Sequence, residues 1–138
     1  MKTVFFSLKP PNGSYGGGGF FVKNLSSFLL SKKYNVTYTL EPNIDVLFII
    51  DPRSGPHKNY DLNDFIQYKK NNPNTIIIHR VNECDIKRQI SINVEPLLVK
   101  TMKFANKVVF VSRWLENYYI KKYDLQLNDH HAILNGCN

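Results

Sequence analysis

Asp45-Val46-Leu47-Phe48-Ile49-Ile50-Asp51 is the stretch that decides the fold, because every position between its two aspartates is apolar. Continuous apolar character, in place of an alternating pattern, indicates a strand that is buried on both faces. Strands of this kind are typical of parallel sheets that helices cover on both sides. The sequence therefore predicts an α/β domain with a mostly parallel sheet.

The segments on either side of this strand fit the same architecture. Short apolar or β-branched runs alternate with segments whose apolar residues recur every three or four positions, as on a helix that packs against a sheet. Strands are predicted at residues 4–8, 36–40, 45–51, 75–79, 107–112 and 131–134. Helices are predicted at residues 20–33, 62–70, 93–106 and 113–123. This order predicts a single Rossmann-like, three-layer domain over residues 1–138.

Composition narrows the class of protein. The net charge is +7, but the 18 basic residues are scattered, with no basic run of the kind that indicates nucleic-acid binding. No apolar run approaches the ~20 residues of a membrane helix, and the N-terminus lacks a signal-peptide pattern, so we expect a cytoplasmic protein. Cys84 and Cys137 have no metal-type spacing, which predicts reduced thiols and no zinc site.

A glycine-rich loop, Ser14-Tyr15-Gly16-Gly17-Gly18-Gly19-Phe20-Phe21, joins the first predicted strand to the first predicted helix. Glycine has no Cβ atom, so a ligand can closely approach the backbone N–H groups of these four residues. At a helix N-terminus, where donors lack partners, such a loop suits a phosphate or diphosphate. A plain flexible connection with no ligand is the alternative.

Two familiar phosphate-binding motifs can be compared with this loop. A P-loop requires Gly-Lys followed by Ser or Thr, whereas Gly19 is followed by Phe20, so that motif is excluded. A dinucleotide-binding fingerprint requires a tight turn directly after the first strand and an acid after the second. Glu41 supplies the acid, but Pro10 and Pro11 lengthen the turn. An NAD(P)-binding domain therefore remains a weaker alternative.

Three further motifs carry a family resemblance. In chain order they are His79-Arg80-Val81-Asn82-Glu83-Cys84-Asp85, then Val109-Phe110-Val111-Ser112-Arg113-Trp114-Leu115, then Ile133-Leu134-Asn135-Gly136-Cys137-Asn138. Together with the glycine-rich loop they resemble the N-terminal half of a family 4 glycosyltransferase of the GT-B fold. The resemblance spans nearly the whole chain. It departs at Asn138, where the family usually has Asp.

The resemblance implies a retaining glycosyltransferase that takes a sugar from a nucleotide-sugar donor without a metal ion. The acceptor would be a glycan or a lipid-linked molecule, and contact with a membrane surface is possible. The donor-binding C-terminal domain, with its pair of glutamates eight positions apart, would follow Asn138. No such pair occurs here, so the chain is expected to be inactive alone, as a truncated or separately encoded half. A non-catalytic binding module or partner subunit is the alternative.

The resemblance also assigns roles to individual residues. The N–H groups of Gly16, Gly17, Gly18 and Gly19 would lie near the donor diphosphate. His79 would touch the reacting sugar or move a proton, although a structural histidine is the alternative. The residues after the fourth strand add a polar cluster that could hold acceptor hydroxyls, namely Arg80, Asn82, Glu83 and Asp85, and Arg80 or Arg88 could bind a phosphate or carboxylate. These residues could instead form ion pairs that only order the loop. Arg113, at a helix start, could reach the same cleft, and a solvated arginine is the alternative.

Overall fold

The computed structural model describes residues 1–13, 16–55, 58–87 and 93–135. Its strands are β1 Thr3–Phe6, β2 Asn35–Thr37, β3 Val46–Ile49, β4 Ile76–Val81, β5 Lys107–Phe110 and β6 His130–Ala132. Its helices are α1 Gly17–Ser31, α2 Leu62–Asn71, α3 Glu95–Phe104 and α4 Arg113–Tyr123, with a 3-10 turn at Asp85–Lys87. The predicted order of strands and helices is confirmed.

The six strands form one sheet in the order β2-β1-β3-β4-β5-β6, and every neighbouring pair is parallel. The chain first moves from β1 to β2 and then returns past β1 to β3. This reversal creates a topological switch point between β1 and β3. In open parallel sheets, ligands bind beyond the carboxyl ends of the strands at such a point.

Helices lie on both faces, as predicted, but unequally. Val22 of α1 packs on Val4, Phe6 and Ile50, whose side chains share one face of the sheet. Phe65 of α2 packs on the opposite face, against Phe5, Leu47, Ile49 and Ile77. α3 and α4 cover the continuation of that second face over β4 and β5. One layer therefore contains α1, and the other contains α2, α3 and α4.

Two helix ends illustrate how the sequence sets these boundaries. Asp61 precedes α2, and its carboxylate accepts the N–H of Asp64 at 3.2 Å, while the Asp64 carboxylate accepts the N–H of Asp61 at 2.9 Å. This reciprocal capping satisfies donors that a helix start otherwise leaves open. Ser112 caps α4 with a single bond, because its hydroxyl accepts the N–H of Leu115 at 3.1 Å. Both starts were predicted within one residue.

Two predicted boundaries are corrected by the structure. The first helix begins at Gly17 and not near Phe20, since the glycines are themselves helical. The fourth strand continues through Arg80 to Val81, so Arg80 belongs to the sheet and not to the polar loop. Its ladder partner Val109 keeps Arg80 in the strand conformation. Among the described residues, no helix is long and apolar enough to cross a membrane.

Candidate functional site

The start of α1 lies at the carboxyl edge of the sheet, over the switch point. A Cβ atom added to Gly18 would lie 3.4 Å from Cδ2 of Leu8 and 3.5 Å from Cγ2 of Ile50. Leu8 follows β1 and Ile50 follows β3, so the first turn of α1 packs directly where these two strands end. The glycine turn and the carboxyl end of β4 therefore share one edge of the sheet.

The first turn of α1 presents bare N–H groups. Gly16 is the N-cap residue, no side chain of the described residues caps this end, and the first turn contains no acidic residue. The first intrahelical bond runs from the N–H of Phe20 to the carbonyl of Gly16 at 3.1 Å. The donors of Gly17, Gly18 and Gly19 have no acceptor within the helix, because the chain has not yet completed a turn. They form a potential anion site.

Arg80 is on the face of β4 that α1 covers. Its guanidinium carbon lies 4.2 Å from the centre of the Phe21 ring, and its Nη2 donates to Oδ1 of Asn135 at 2.9 Å. The residue is 3% exposed, and its buried Nη1 has no hydrogen-bond partner in the part of the chain that the structure describes. Burial lowers the pKa of Arg80 from its ordinary value. The guanidinium of Arg80 is therefore a buried cation beside α1 whose hydrogen-bond donors are only partly satisfied.

His79 is on the opposite face of β4, in the row formed with Ile49 and Val108. It is 0% exposed, and no described residue forms a hydrogen bond with either ring nitrogen. Burial lowers its pKa to about 3, although the charge of Asp51 acts in the other direction. The imidazole is therefore neutral at physiological pH. Its predicted contact with a sugar remains a prediction, and the glycine turn lies across the sheet from it.

An ionic cluster lies beyond the ends of β3 and β4 on the His79 side. Nη2 of Arg53 contacts Asp51 at 2.8 Å and Glu83 at 2.9 Å, and Nζ of Lys58 contacts Asp51 at 3.1 Å. Burial acts to raise the pKa of Asp51, but hydrogen bonds from Arg53 and the charge of Lys58 outweigh burial and lower it. Glu83 thus belongs to a network that ties two strand ends together.

Asp85 connects the loop after β4 to α3. Its carboxylate accepts the N–H of Val94 at 2.9 Å and that of Glu95 at 3.4 Å. The carboxylate of Glu95 accepts the N–H of Asp85 at 2.7 Å in return. These contacts agree with the alternative in which this part of the polar cluster orders the loop.

The remaining predicted residues are dispersed. Asn82 is exposed, and Arg113 is exposed at the first position of α4. Arg88 lies outside the described residues. Trp114 is 52% exposed and stacks on Tyr118 with ring centres 5.3 Å apart. The structure therefore brings Arg80 to the glycine helix and leaves the other candidates elsewhere.

Two partners of Arg80 were not predicted as site residues. The sequence analysis has Phe21 at the end of the glycine-rich loop and within the helix predicted at residues 20–33, and Asn135 in the last motif of the family resemblance. The signal in the sequence is an arginine that follows three isoleucines and a histidine in one strand, because a charge in such a strand needs a partner. Finding its partners required the tertiary contact between α1, β4 and the segment after β6.

The acid of the dinucleotide fingerprint lies at the wrong edge. The backbone carbonyl of Glu41 accepts the Tyr68 hydroxyl at 2.8 Å, and the same hydroxyl oxygen accepts the N–H of Ile44 at 3.1 Å. Ile44 precedes β3, so Glu41 is at the amino edge, away from the glycine turn. This arrangement does not suit a ribose held between the turn and the acid.

Comparisons with known proteins give no match: no family model matches the chain, and no curated protein or solved structure matches it.

Proposed function

We propose that this chain is the acceptor-side, N-terminal half of a retaining glycosyltransferase that uses a nucleotide-sugar donor. The proposal is supported by the ordered motifs of the sequence and by a bare glycine turn at the switch point of a parallel sheet. In this arrangement the donor diphosphate would lie against the N–H groups of Gly17, Gly18 and Gly19. The acceptor would enter beside the polar segment that follows β4.

The glycine turn is the observation that carries the proposal. A Cβ atom at Gly16 or Gly17 would meet nothing within 4 Å. Gly16 has a φ of −73°, which any residue can adopt. Neither position therefore requires glycine for steric reasons, and at Gly17, inside the helix, alanine would favour the helix. Bare amides at this edge are explained if a ligand approaches the backbone closely.

The chemistry follows from where charge develops. When the sugar leaves its donor, negative charge accumulates on the departing diphosphate. Fixed N–H dipoles stabilise that charge without having to reorient during the reaction. A positively charged helix end aimed at the same position adds to this effect. The glycine turn would thus stabilise the transition state more than the bound donor.

The test is an assay of sugar transfer with two forms of the protein. The first form is this chain alone, and the second is this chain joined to whatever its gene encodes after residue 138. Labelled nucleotide sugars are offered with glycan and lipid-linked acceptors, and the configuration of the product is determined by NMR. We expect little or no transfer by the chain alone and retention of configuration by the longer form. Binding of nucleotide sugars without transfer by either form would instead indicate a binding module.

His79→Leu tests the predicted histidine in the same assay. A leucine replaces two unsatisfied buried nitrogens with carbon, so we expect the free energy of unfolding to stay the same or rise. If the imidazole contacts the sugar during the reaction, kcat should fall by about 100-fold, as for loss of a general acid or base. Unchanged kcat in a folded variant would assign His79 a structural role.

A further inference from the structure

Arg80 has no carboxylate partner among the described residues. Each ion pair of those residues involves another cation, namely Arg53, Lys58, Lys107, Lys122, His130 or His131. The side chain is nevertheless 3% exposed, and within residues 1–13, 16–55, 58–87 and 93–135 its Nη1 nitrogen has no hydrogen-bond partner. A buried cation of this kind destabilises the fold unless an anion reaches it.

The position of the guanidinium points to where that anion binds. Phe21, over whose ring it lies, is in the second turn of α1. Gly18, one turn earlier, packs on Ile50 at the end of β3, the strand next to β4. Arg80 and the uncapped first turn of α1 therefore lie on the same face and at the same edge of the sheet. Both favour negative charge.

We propose that Arg80 and the first-turn amides of α1 together bind a phosphate group. Oδ1 of Asn135 accepts from Nη2 at 2.9 Å, and the centre of the Phe21 ring lies 4.2 Å from the guanidinium carbon, so the side chain is fixed in position. The buried Nη1 has no hydrogen-bond partner among the described residues, and it is the donor that an anion would satisfy. A planar guanidinium suits the oxygens of phosphate, and the helix amides supply further donors. In this arrangement Arg80 is a binding residue and not part of the loop network.

This inference extends the proposed function, on which it relies only for the origin of the phosphate. The group could belong to the diphosphate of the donor or to a phosphorylated acceptor. Phosphate affinity itself is a property of this chain, and it can be measured without any sugar transfer.

The experiment titrates the purified chain with inorganic pyrophosphate at constant ionic strength. Binding is followed by the backbone amide signals of Gly17 and Gly18 and by the side-chain Nε signal of Arg80. Ionic strength is held near 0.15 M, where the Debye length is about 8 Å, so that the net charge of +7 contributes little. We expect saturable shifts of these signals together. Their absence would overturn the inference.

Arg80→Met is the deciding variant, and Lys103→Met is its matched control. Each removes one positive charge, but Lys103 is exposed on α3, on the other face of the sheet. Pyrophosphate should bind Arg80→Met at least about 10-fold more weakly, as expected for loss of hydrogen bonds to a charged group, and Lys103→Met as the unaltered chain. Equal affinity for both variants would show nonspecific attraction and overturn the inference.

Stability separates this role from a structural one. Methionine fills a similar volume without burying a charge, so Arg80→Met should unfold at the same or a higher temperature when no anion is present. Pyrophosphate should raise the unfolding temperature of the unaltered chain but not of the variant. If Arg80→Met does not fold, Arg80→Lys replaces it. Lysine keeps the charge without the planar fork and should bind about 10-fold more weakly, whereas equal affinity would overturn the inference.

Competition identifies the source of the phosphate. Displacement of pyrophosphate by a nucleoside diphosphate at lower concentration than by a sugar phosphate would assign the group to the donor. The opposite order would assign it to the acceptor. If the longer protein transfers sugar but Arg80 binds no phosphate, this inference is rejected and the proposed function stands. If Arg80 binds phosphate but no sugar is transferred, the proposed function is rejected and this inference stands.

Discussion

The carboxylate of Glu95 is fully buried. The residue is 0% exposed, and its oxygens accept from the hydroxyls of Tyr118 at 2.8 Å and Tyr123 at 2.5 Å and from Nζ of Lys122 at 2.9 Å. Burial acts to raise the pKa of Glu95, but these hydrogen bonds and that from the N–H of Asp85 outweigh burial and lower it to about 2. This charge is therefore satisfied, in contrast to that of Arg80.

The lowered pKa makes stability depend on pH in a defined direction. A carboxylate with a lower pKa in the folded than in the unfolded state stabilises the fold above the unfolded value, here 4.5. That contribution is lost as the pH falls from about 4.5 to about 2. Urea unfolding between these pH values should show Glu95→Gln to be less pH-dependent than the unaltered chain.

At pH 7, Glu95→Gln should lower the free energy of unfolding by about 2–3 kcal/mol, because the amide cannot accept every donor around it. Glu41→Gln, at an exposed carboxylate, is the control and should change it by less than about 0.5 kcal/mol. An identical pH dependence for Glu95→Gln and the unaltered chain would contradict the assigned contacts.

At the scale of elements, the first turn and the later turns of α1 have different roles. Its later turns supply Val22, Leu25 and Leu29 to the core, which any amphipathic helix could do. Its first three residues are glycines, and among the described residues it has no side-chain cap and no acid in the first turn. Each of these features lowers the stability of the helix at this end. The weak end is directed at the switch point of the sheet. The first turn thus contributes less than the others to the stability of the helix, and it lies where we propose that a ligand binds.

Gly17→Ala tests this separation. The Cβ would enter open space, so the free energy of unfolding should stay the same or rise by about 0.4–1 kcal/mol. The same methyl group would obstruct a ligand that approaches the backbone, and pyrophosphate affinity should fall roughly tenfold, or by about 1.4 kcal/mol. Urea unfolding and titration measure the two effects in one preparation.

Gly13→Ala is the matched control, because Gly13 has a φ of +94° that disfavours a side chain. It should lower the free energy of unfolding by about 1–2 kcal/mol and have no direct effect on binding. If Gly17→Ala instead destabilised the fold and bound pyrophosphate normally, the glycines would be structural.

At the scale of the whole molecule, the two faces of the sheet are covered unequally. α1 covers β1 and β3, whereas three helices cover the other face. On the side of α1, Ile76 at the start of β4 is 41% exposed, and Ile133 after β6 is 59% exposed. The face that carries α1 is therefore less completely covered by helices. In the described part of the chain, β6 pairs only with β5 and forms an edge of the sheet.

Hydrogen exchange should follow this asymmetry. Amides of β1, β3 and β4 lie between paired strands under helices, and they should exchange only on global unfolding. Amides of β6 should exchange much faster, through local opening of the edge. Native-state exchange followed by NMR measures both. Equal protection of β4 and β6 would contradict the asymmetry and indicate that another molecule covers the edge.

The amino-acid sequence by itself determined the class of fold. A strand apolar at every internal position requires cover on both faces, and helical periodicity supplies that cover, so the layers and their order follow from local pattern. Helix starts at Asp61 and Ser112 were equally local, because a cap acts within four residues. The presence of a polar cluster after the fourth strand was also evident in the sequence.

Only the tertiary structure decided which of those polar residues face one another. His79 and Arg80 are adjacent in sequence, yet the two-residue period of a strand sends them to opposite faces. Strand order then placed α1 beside Arg80 and the Asp51 cluster beside His79. These contacts join residues far apart in the chain, such as Arg80 and Asn135, and no local pattern encodes them.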